Sequence, residues 1–164
     1  KGGSLRGFVA KVGSKHEKTD NVANMIEVEK SSGIFMPSRY HAFDENLKSF
    51  GGKIRNLADS IKQSGSEVIV YGASVGCVMM IYHFGLDKYV DYIVDDNRSK
   101  IDKFCPSLGV IVYDSDILKE KKNAIVISLA WRFMEPILKR HIDFKANGGV
   151  FKVVDLSKLD ILDM

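Results

Sequence analysis

A small-residue turn between two apolar runs is the first feature of this sequence that suggests chemistry. The turn consists of Gly72, Ala73, Ser74, Val75 and Gly76. It follows a predicted strand at 68–71 and precedes a helix predicted from about 77 to 84, whose unpaired N-terminal amides would favour a phosphate. Gly72 and Gly76 do not satisfy the dinucleotide fingerprint G-x-G-x-x-G. The turn therefore predicts either an anion or nucleotide site or simply a tight strand-to-helix connection.

An acidic residue ends the next predicted strand. Asp95 follows the apolar run 92–94, at about the 20-residue separation from Gly72 at which an acid commonly bonds a ribose hydroxyl in dinucleotide-binding folds. The same carboxylate could instead cap a turn together with Asn97. Asp95 and Asn97 are thus candidates for substrate contact, with a turn-capping role as the alternative.

A third candidate site follows the apolar strand predicted at 124–127. Trp131 could stack on a base or a sugar, and Arg132 could pair with a phosphate. Loops in this position lie at the C-terminal edge of a parallel sheet, where ligands bind in open α/β folds. The alternative is a tryptophan that closes the core beside an exposed arginine.

The remaining reactive residue types suggest neither a catalytic nor a metal site. The histidines, at positions 16, 41, 83 and 141, have no partner at the spacing of a metal site or a catalytic triad. Cys77 and Cys105 form neither a disulfide framework nor a metal set, and reduced thiols suit a cytoplasmic protein. We expect no catalytic residue and no metal ligand in this stretch.

The order of the predicted elements indicates an α/β fold. Short apolar runs with strand character are predicted at 68–71, 92–94, 110–112, 124–127 and 150–154. Helical patterns separate them, so we predict a Rossmann-like, mostly parallel sheet with flanking helices over residues 66–164. A strand at 5–12, a helix at 20–30 and a long helix at 37–63 would form an N-terminal arm over residues 1–65.

Composition excludes several classes of function. The chain has 164 residues and a formal net charge of +3 with scattered basic residues, so nothing favours nucleic acid. No apolar run approaches the roughly 18 residues of a membrane span, and no signal peptide is visible. We expect a cytoplasmic globular domain.

Five short motifs, in this order, resemble one known family. They are 2–6 (GGSLR), 71–73 (YGA), 92–97 (YIVDDN), 129–132 (LAWR) and 148–151 (GGVF). The chain resembles, over nearly its whole length, the C-terminal domain of the S-adenosylmethionine-dependent C-methyltransferases that act on dTDP-linked deoxysugars.

The resemblance implies a role for this stretch within a longer enzyme. In that family a zinc-binding domain and an S-adenosylmethionine domain come first, so the cofactor and the catalytic residues would belong to upstream domains of the same chain. This domain would hold the dTDP-sugar substrate. Family members often have G-A-x-A-K-G in the turn, whereas Gly76 and Cys77 stand at the last two positions here. A family histidine before the first glycine pair is replaced by Lys1.

Two other interpretations remain open at this point. The chain could be a free-standing nucleotide-binding or regulatory Rossmann-like module without catalysis. A nicotinamide-dependent oxidoreductase is disfavoured, because the fingerprint is broken and no catalytic dyad is visible.

Overall fold

The computed structural model of the protein describes residues 4–106 and 108–164. Lys1, Gly2 and Gly3, to which part of the family resemblance refers, lie outside the described residues. The chain divides into two compact units, Lys1–Phe43 and Asp44–Met164. No helix in the described part of the chain has the length and apolar character needed to cross a membrane.

The first unit contains an extended segment, a helix and the first residues of a longer helix that continues into the second unit. The helix predicted at 20–30 is confirmed as α1, Asp20–Ser31, and the long helix predicted at 37–63 is confirmed as α2, Pro37–Gln63. The strand predicted at 5–12 is wrong, because these residues form no strand and all are exposed. An alternating pattern does not make a strand by itself, since a strand also needs a neighbour with which to exchange backbone hydrogen bonds.

The glycine pair within α2 has a packing role and does not end the helix. α2 runs unbroken through Gly51 and Gly52. A Cβ atom at Gly51 would lie 3.1 Å from the ring of Phe84, so the missing side chain lets Phe84 pack against the helix backbone. Gly65, in the left-handed region at φ 76°, follows the helix end.

The second unit is built on a seven-stranded sheet. Its strands are β1 (Ile69–Tyr71), β2 (Tyr92–Asp95), β3 (Lys103–Phe104), β4 (Ile111–Asp114), β5 (Ile125–Ser128), β6 (Val150–Asp155) and β7 (Asp160–Asp163). The spatial order is β3-β4-β2-β1-β5-β6-β7. The five central strands are parallel, whereas β3 and β7 pair antiparallel at the edges. The predicted Rossmann-like, mostly parallel sheet is therefore confirmed.

Helices cover both faces of the sheet. They are α3 (Val75–His83), a 3₁₀ helix at Ser115–Glu120, a 3₁₀ turn at Trp131–Phe133, α4 (Met134–Arg140) and α5 (Ile142–Ala146). The C-terminal half of α2 and α3 pack on one face, and α4, α5 and the 3₁₀ helix pack on the other. Successive strand residues point to opposite faces, as Val70 and Ile69 show, so both faces of the central strands are buried.

One predicted helix is interrupted. The sequence after the strand at 124–127 predicts a single helix from about 133 to 144, but the chain leaves helical geometry at His141, where φ is −109° and ψ is 38°. The break separates α4 from α5, and the imidazole of His141 is fully buried beside Tyr71. After β4 the sequence predicts a short helix to about Lys121, capped by Asp114 or Ser115. It forms as a 3₁₀ helix, and the Asp114 side chain caps it by accepting from Asp116 N at 3.0 Å.

Candidate functional site

The strand order creates a crevice between the loops that follow β1 and β5. From β1 the chain builds β2 and β4 on one side, and it then crosses to β5 and β6 on the other. In open α/β sheets such a reversal marks the usual ligand position, at the carboxyl ends of the strands. Tyr71 and Ser128, the last residues of β1 and β5, are direct neighbours in the sheet. The loops that begin at Gly72 and Leu129 therefore leave the sheet side by side.

Gly72 closes this junction tightly. Its φ of 112° lies in the region that favours glycine, and its amide donates to Val94 O at 2.8 Å. A Cβ atom here would lie 2.8 Å from Cys77 Sγ and 3.4 Å from Ala130 Cβ. The space over Gly72 is thus filled by the protein's own side chains.

The N-terminus of α3 is open beyond this junction. Ser74 caps the helix, since its Oγ accepts from Cys77 N at 3.2 Å and its carbonyl accepts from Val78 N at 2.9 Å. The first helical amide belongs to Val75, whose side chain is 83% exposed, and the next to Gly76. Neither of these amides has an acceptor among the described residues. A helix terminus with free amides is a favourable position for an anion.

Asp95 ties the turn to the end of β2. Its Oδ2 accepts from Ala73 N at 2.7 Å and pairs with Lys100 Nζ at 3.0 Å, and its Oδ1 accepts from Asn97 N at 2.8 Å. Burial opposes ionisation of this carboxyl, but the two amides and the ammonium outweigh it, so the pKa of Asp95 is lowered. Because Oδ1 accepts a single protein hydrogen bond, it keeps a lone pair that a ribose hydroxyl could use. The geometry also fits the turn-capping alternative, and the ribose contact stays a prediction.

Asn97 shapes the loop after β2. Its Oδ1 accepts from Ser99 N at 3.0 Å and from Ser99 Oγ at 2.8 Å. This is a local turn in which the side-chain oxygen takes the place of a backbone acceptor. The Asn97 side-chain oxygen is therefore engaged within its own loop.

Trp131 and Arg132 stack on one another. The guanidinium carbon of Arg132 lies 4.4 Å from the centroid of the Trp131 ring, which is a cation–π geometry. Trp131 is half-buried and packs partly against the core under α4, whereas Arg132 is exposed. The pair follows Ala130, the residue that approaches Gly72. The loop that carries this ring and guanidinium therefore meets the turn after β1 at Ala130.

A polar cluster on the α4 side of the sheet, buried except for Asp96, was not foreseen from the sequence. The Tyr71 hydroxyl donates to Asp96 Oδ1 at 2.7 Å and lies 3.1 Å from His141 Nε2. Asp96 Oδ1 also accepts from Ser115 Oγ. Burial first, and then the hydrogen bond to Asp96, raise the pKa of Tyr71, so the phenol is protonated. The cluster links β1 with the residues that follow β2 and β4.

Arg140 connects this cluster to the surface. Its Nε lies 3.5 Å from Asp96 Oδ1, and its Nη2 lies 3.0 Å from Asp116 Oδ1 and 3.7 Å from Asp114 Oδ1. The three carboxylates are therefore paired internally. Within the ranges 4–106 and 108–164, no three His, Cys, Asp or Glu side chains are grouped so that they could hold a metal ion.

Comparison with known proteins shows which family this chain is similar to. The family model described as "C-methyltransferase C-terminal domain" matches residues 1–154. The C-methyltransferase NovU of Streptomyces niveus is 26% identical over 153 residues, which is 93% of this chain and 36% of that protein. The chain thus spans little more than a third of the length of this relative. Because the family model covers nearly all of it, the chain belongs to the family of C-methyltransferase C-terminal domains.

Proposed function

We propose that this domain binds the nucleotide part of a dTDP-linked deoxysugar and presents the sugar for methylation on carbon, within a cytoplasmic S-adenosylmethionine-dependent enzyme. The proposal is carried by two loops that leave neighbouring strands side by side, with Ala130 of one approaching Gly72 of the other. The loop after β1 leads to the open terminus of α3, and the loop after β5 leads to the Trp131–Arg132 pair. Both features favour an anion with an aromatic or sugar ring attached, which is the chemistry of a nucleoside diphosphate.

The individual contacts follow from the positions of the groups. The free amides of Val75 and Gly76 and the guanidinium of Arg132 would donate hydrogen bonds to the diphosphate oxygens. The exposed part of the Trp131 ring would stack on the base or the sugar, and Asp95 Oδ1 would accept from a ribose hydroxyl. Gly72, Ala73 and Ser74 would shape the turn, and Asn97 would border the ribose.

The methyl donor fits this crevice poorly. Its reactive sulfonium is a cation, whereas the α3 terminus and Arg132 both favour an anion. The space over Gly72 is filled by Cys77 and Ala130, which leaves no room there for an adenosyl group. We therefore assign S-adenosylmethionine to the part of the full-length protein that precedes this domain, and we derive no step of methyl transfer from this chain's residues.

Arg132→Ala in the full-length protein tests the proposal. A charge-assisted hydrogen bond to phosphate contributes about 1.5–3 kcal/mol, so KM for the dTDP-ketosugar should rise on the order of 10- to 100-fold. KM for S-adenosylmethionine should stay unchanged, because the donor is assigned elsewhere. Steady-state kinetics with each substrate varied in turn provides both values.

Lys145→Ala is the matched control. Lys145 is an exposed cation on α5, close to the start of β6 and thus near the opposite edge of the sheet. The Lys145→Ala variant should leave both KM values unchanged. If Arg132→Ala behaves like Lys145→Ala, or if it raises KM for the donor instead, the crevice does not hold the nucleotide sugar.

A further inference from the structure

The unit that precedes Asp44 carries large apolar side chains that its own fold leaves exposed. They are Leu5, Phe8, Val9, Val12, Val22, Met25, Ile26, Val28, Phe35, Met36, Tyr40 and Phe43. Every buried hydrophobic side chain among the described residues belongs to the second unit, starting with Phe50. Exposed apolar surface on this scale marks an interaction site in a protein that folds normally. We call these twelve side chains the arm surface.

The extended part of the arm surface also has an unpaired backbone. For residues 5–12 the structure shows one backbone hydrogen bond, in which the Lys11 carbonyl accepts from Ser14 N. Phe8 is 87% exposed, and Val9 is fully exposed. A run of free amides and carbonyls with strand-forming side chains is a template for pairing with another strand.

The helical part of the arm surface needs a neighbour as well. α1 has 12 residues, none of them buried. Isolated helices of about this length are marginal in water, because most helix stability comes from packing an apolar face. Val22, Met25 and Ile26 recur at helical spacing. Met25 and Val28 share an open face of α1 with Asn21, Asn24 and Glu29.

We propose that the arm surface docks onto the part of the full-length protein that precedes this domain. In this arrangement residues 5–12 exchange backbone hydrogen bonds with that part, and the apolar side of α1 packs against it. The proposal goes beyond the nucleotide-sugar function and does not depend on it, because it rests on the exposed arm surface and on family membership.

The size of the relative argues for this occupant. The match to NovU covers 36% of that protein, so most of its chain is available to cover the arm. The family model includes the arm, since it matches residues 1–154. A second copy is a poorer occupant, because residues 5–12 carry Arg6 and Lys11 and no acid, and a self-complementary interface would bring these cations together.

Amide hydrogen exchange on the full-length protein gives the first test. The amides of residues 5–12 should exchange at least about 100-fold more slowly than those of the polar loop 13–19, because paired amides exchange only when the docked structure opens. Equal, fast exchange in both stretches would overturn the proposal. This measurement needs no variant and does not depend on how substitutions affect folding.

Substitutions then identify the occupant. In the full-length protein, Val9→Asp and Val28→Asp should each split cooperative unfolding into two transitions, as the domains separate. Ile142→Asp is the control, since Ile142 is similarly exposed (64%, against 66% for Val28) but lies on α5. If both arm variants unfold like the control, the arm surface is not a docking surface. If they instead turn a dimer into a monomer by light scattering while unfolding stays cooperative, the occupant is a second copy and the proposal is wrong.

Discussion

The guanidinium of Arg132 lies over the ring of Trp131, 4.4 Å from its centroid, although the two side chains differ in burial. Trp131 is half-buried against the core under α4, whereas Arg132 is exposed. The tryptophan therefore belongs in part to the core and in part to the crevice. The tryptophan ring holds the Arg132 side chain in position. A flexible side chain that already rests on a ring has fewer conformations to lose when it binds a ligand.

Trp131→Ala should separate these two contributions. Truncating a fully buried tryptophan costs about 3–5 kcal/mol, and the half-buried ring of Trp131 should cost less, about 1–3 kcal/mol. The variant should also weaken binding of the nucleotide sugar in the full-length enzyme. Urea denaturation gives the free energy of unfolding, and KM for the sugar gives the second quantity.

Trp131→Phe is the control for this variant. It keeps an aromatic surface under Arg132 and most of the core contact, so both quantities should lie closer to the wild type. A loss of more than about 3 kcal/mol in Trp131→Ala with an unchanged KM would make the tryptophan purely structural.

Gly72→Ala should destabilise the protein for two separable reasons. The φ of 112° strains any residue with a Cβ atom, which costs about 1–3 kcal/mol. The new Cβ would also lie 2.8 Å from Cys77 Sγ. The double variant Gly72→Ala, Cys77→Ala removes that clash but not the strain. Its free energy of unfolding, measured by denaturation beside both single variants, should therefore show that only part of the loss caused by Gly72→Ala is recovered.

Gly76→Ala is the matched control for this position. Gly76 has no positive φ, and the nearest atom to a Cβ there is Ser74 Oγ at 3.8 Å. Alanine is the better helix former by about 1 kcal/mol, so this variant should be neutral or more stable. If both glycine variants lose the same stability, the tight junction is not what makes Gly72 necessary.

The central strands could be predicted from the sequence because burial on both faces leaves continuous apolar runs, as at 92–94. The edge strands β3 and β7 could not. β3 is two exposed residues long, and β7 begins and ends on aspartate, so neither has the apolar run that marks a strand. Each forms only because a neighbouring strand presents free backbone groups.

The residues of the candidate site could be predicted from the sequence where they lie next to one another along the chain. The turn 72–76 is one continuous stretch, as is the pair Trp131–Arg132, and each follows one of two neighbouring strands, β1 and β5. The buried cluster was missed because Tyr71 and His141 are 70 residues apart and no local spacing relates them. The sequence did contain one signal for this cluster, the second acid of the doublet 95–96. The sequence reasoning assigned a role only to Asp95 and left Asp96 without one.

Asp95→Asn should lower stability and loosen the turn after β1. The amide side chain has one acceptor oxygen, so either Ala73 N or Asn97 N loses its partner, and Lys100 loses its ion pair. An unpaired buried donor costs about 1–3 kcal/mol. Because the pKa of Asp95 is lowered by folding, its contribution is present above the ordinary aspartate pKa and is lost as pH falls through the lowered value.

Denaturation at neutral pH and at about pH 3 measures this contribution, the acidic value lying below the reference aspartate pKa of about 3.9. The difference in free energy of unfolding between the wild type and Asp95→Asn should be smaller at the acidic pH than at neutral pH. Asp87→Asn, at an exposed position for which the structure shows no side-chain hydrogen bond, should change little at either pH. An equally small effect at Asp95 would mean that the carboxylate does not hold the turn.

His141 should make the fold sensitive to mild acid. The Tyr71 hydroxyl has one proton, which it donates to Asp96, so the hydrogen bond between Tyr71 and His141 requires the proton to be on Nε2. The other ring nitrogen, Nδ1, is buried and has no partner among the described residues. Burial is the largest influence on the imidazole, and the pKa of His141 is lowered because protonation would leave a cation in this place.

The direction of the pH effect follows from the proton balance. The unfolded chain binds a proton on His141 near the ordinary histidine pKa of about 6.5, whereas the folded protein does so only at a lower pH. Stability is therefore full above about pH 6.5 and falls as pH decreases towards the lowered folded value, with a slope of at most about 1.4 kcal/mol per pH unit. The aspartates with lowered pKa values affect stability only below about pH 4, outside this window.

His141→Gln keeps a donor for Tyr71 but does not titrate, so its urea midpoints should change less between pH 7 and pH 5 than those of the wild type. If the wild type and the variant lose stability in parallel over this range, the buried imidazole is not the group that responds to acid.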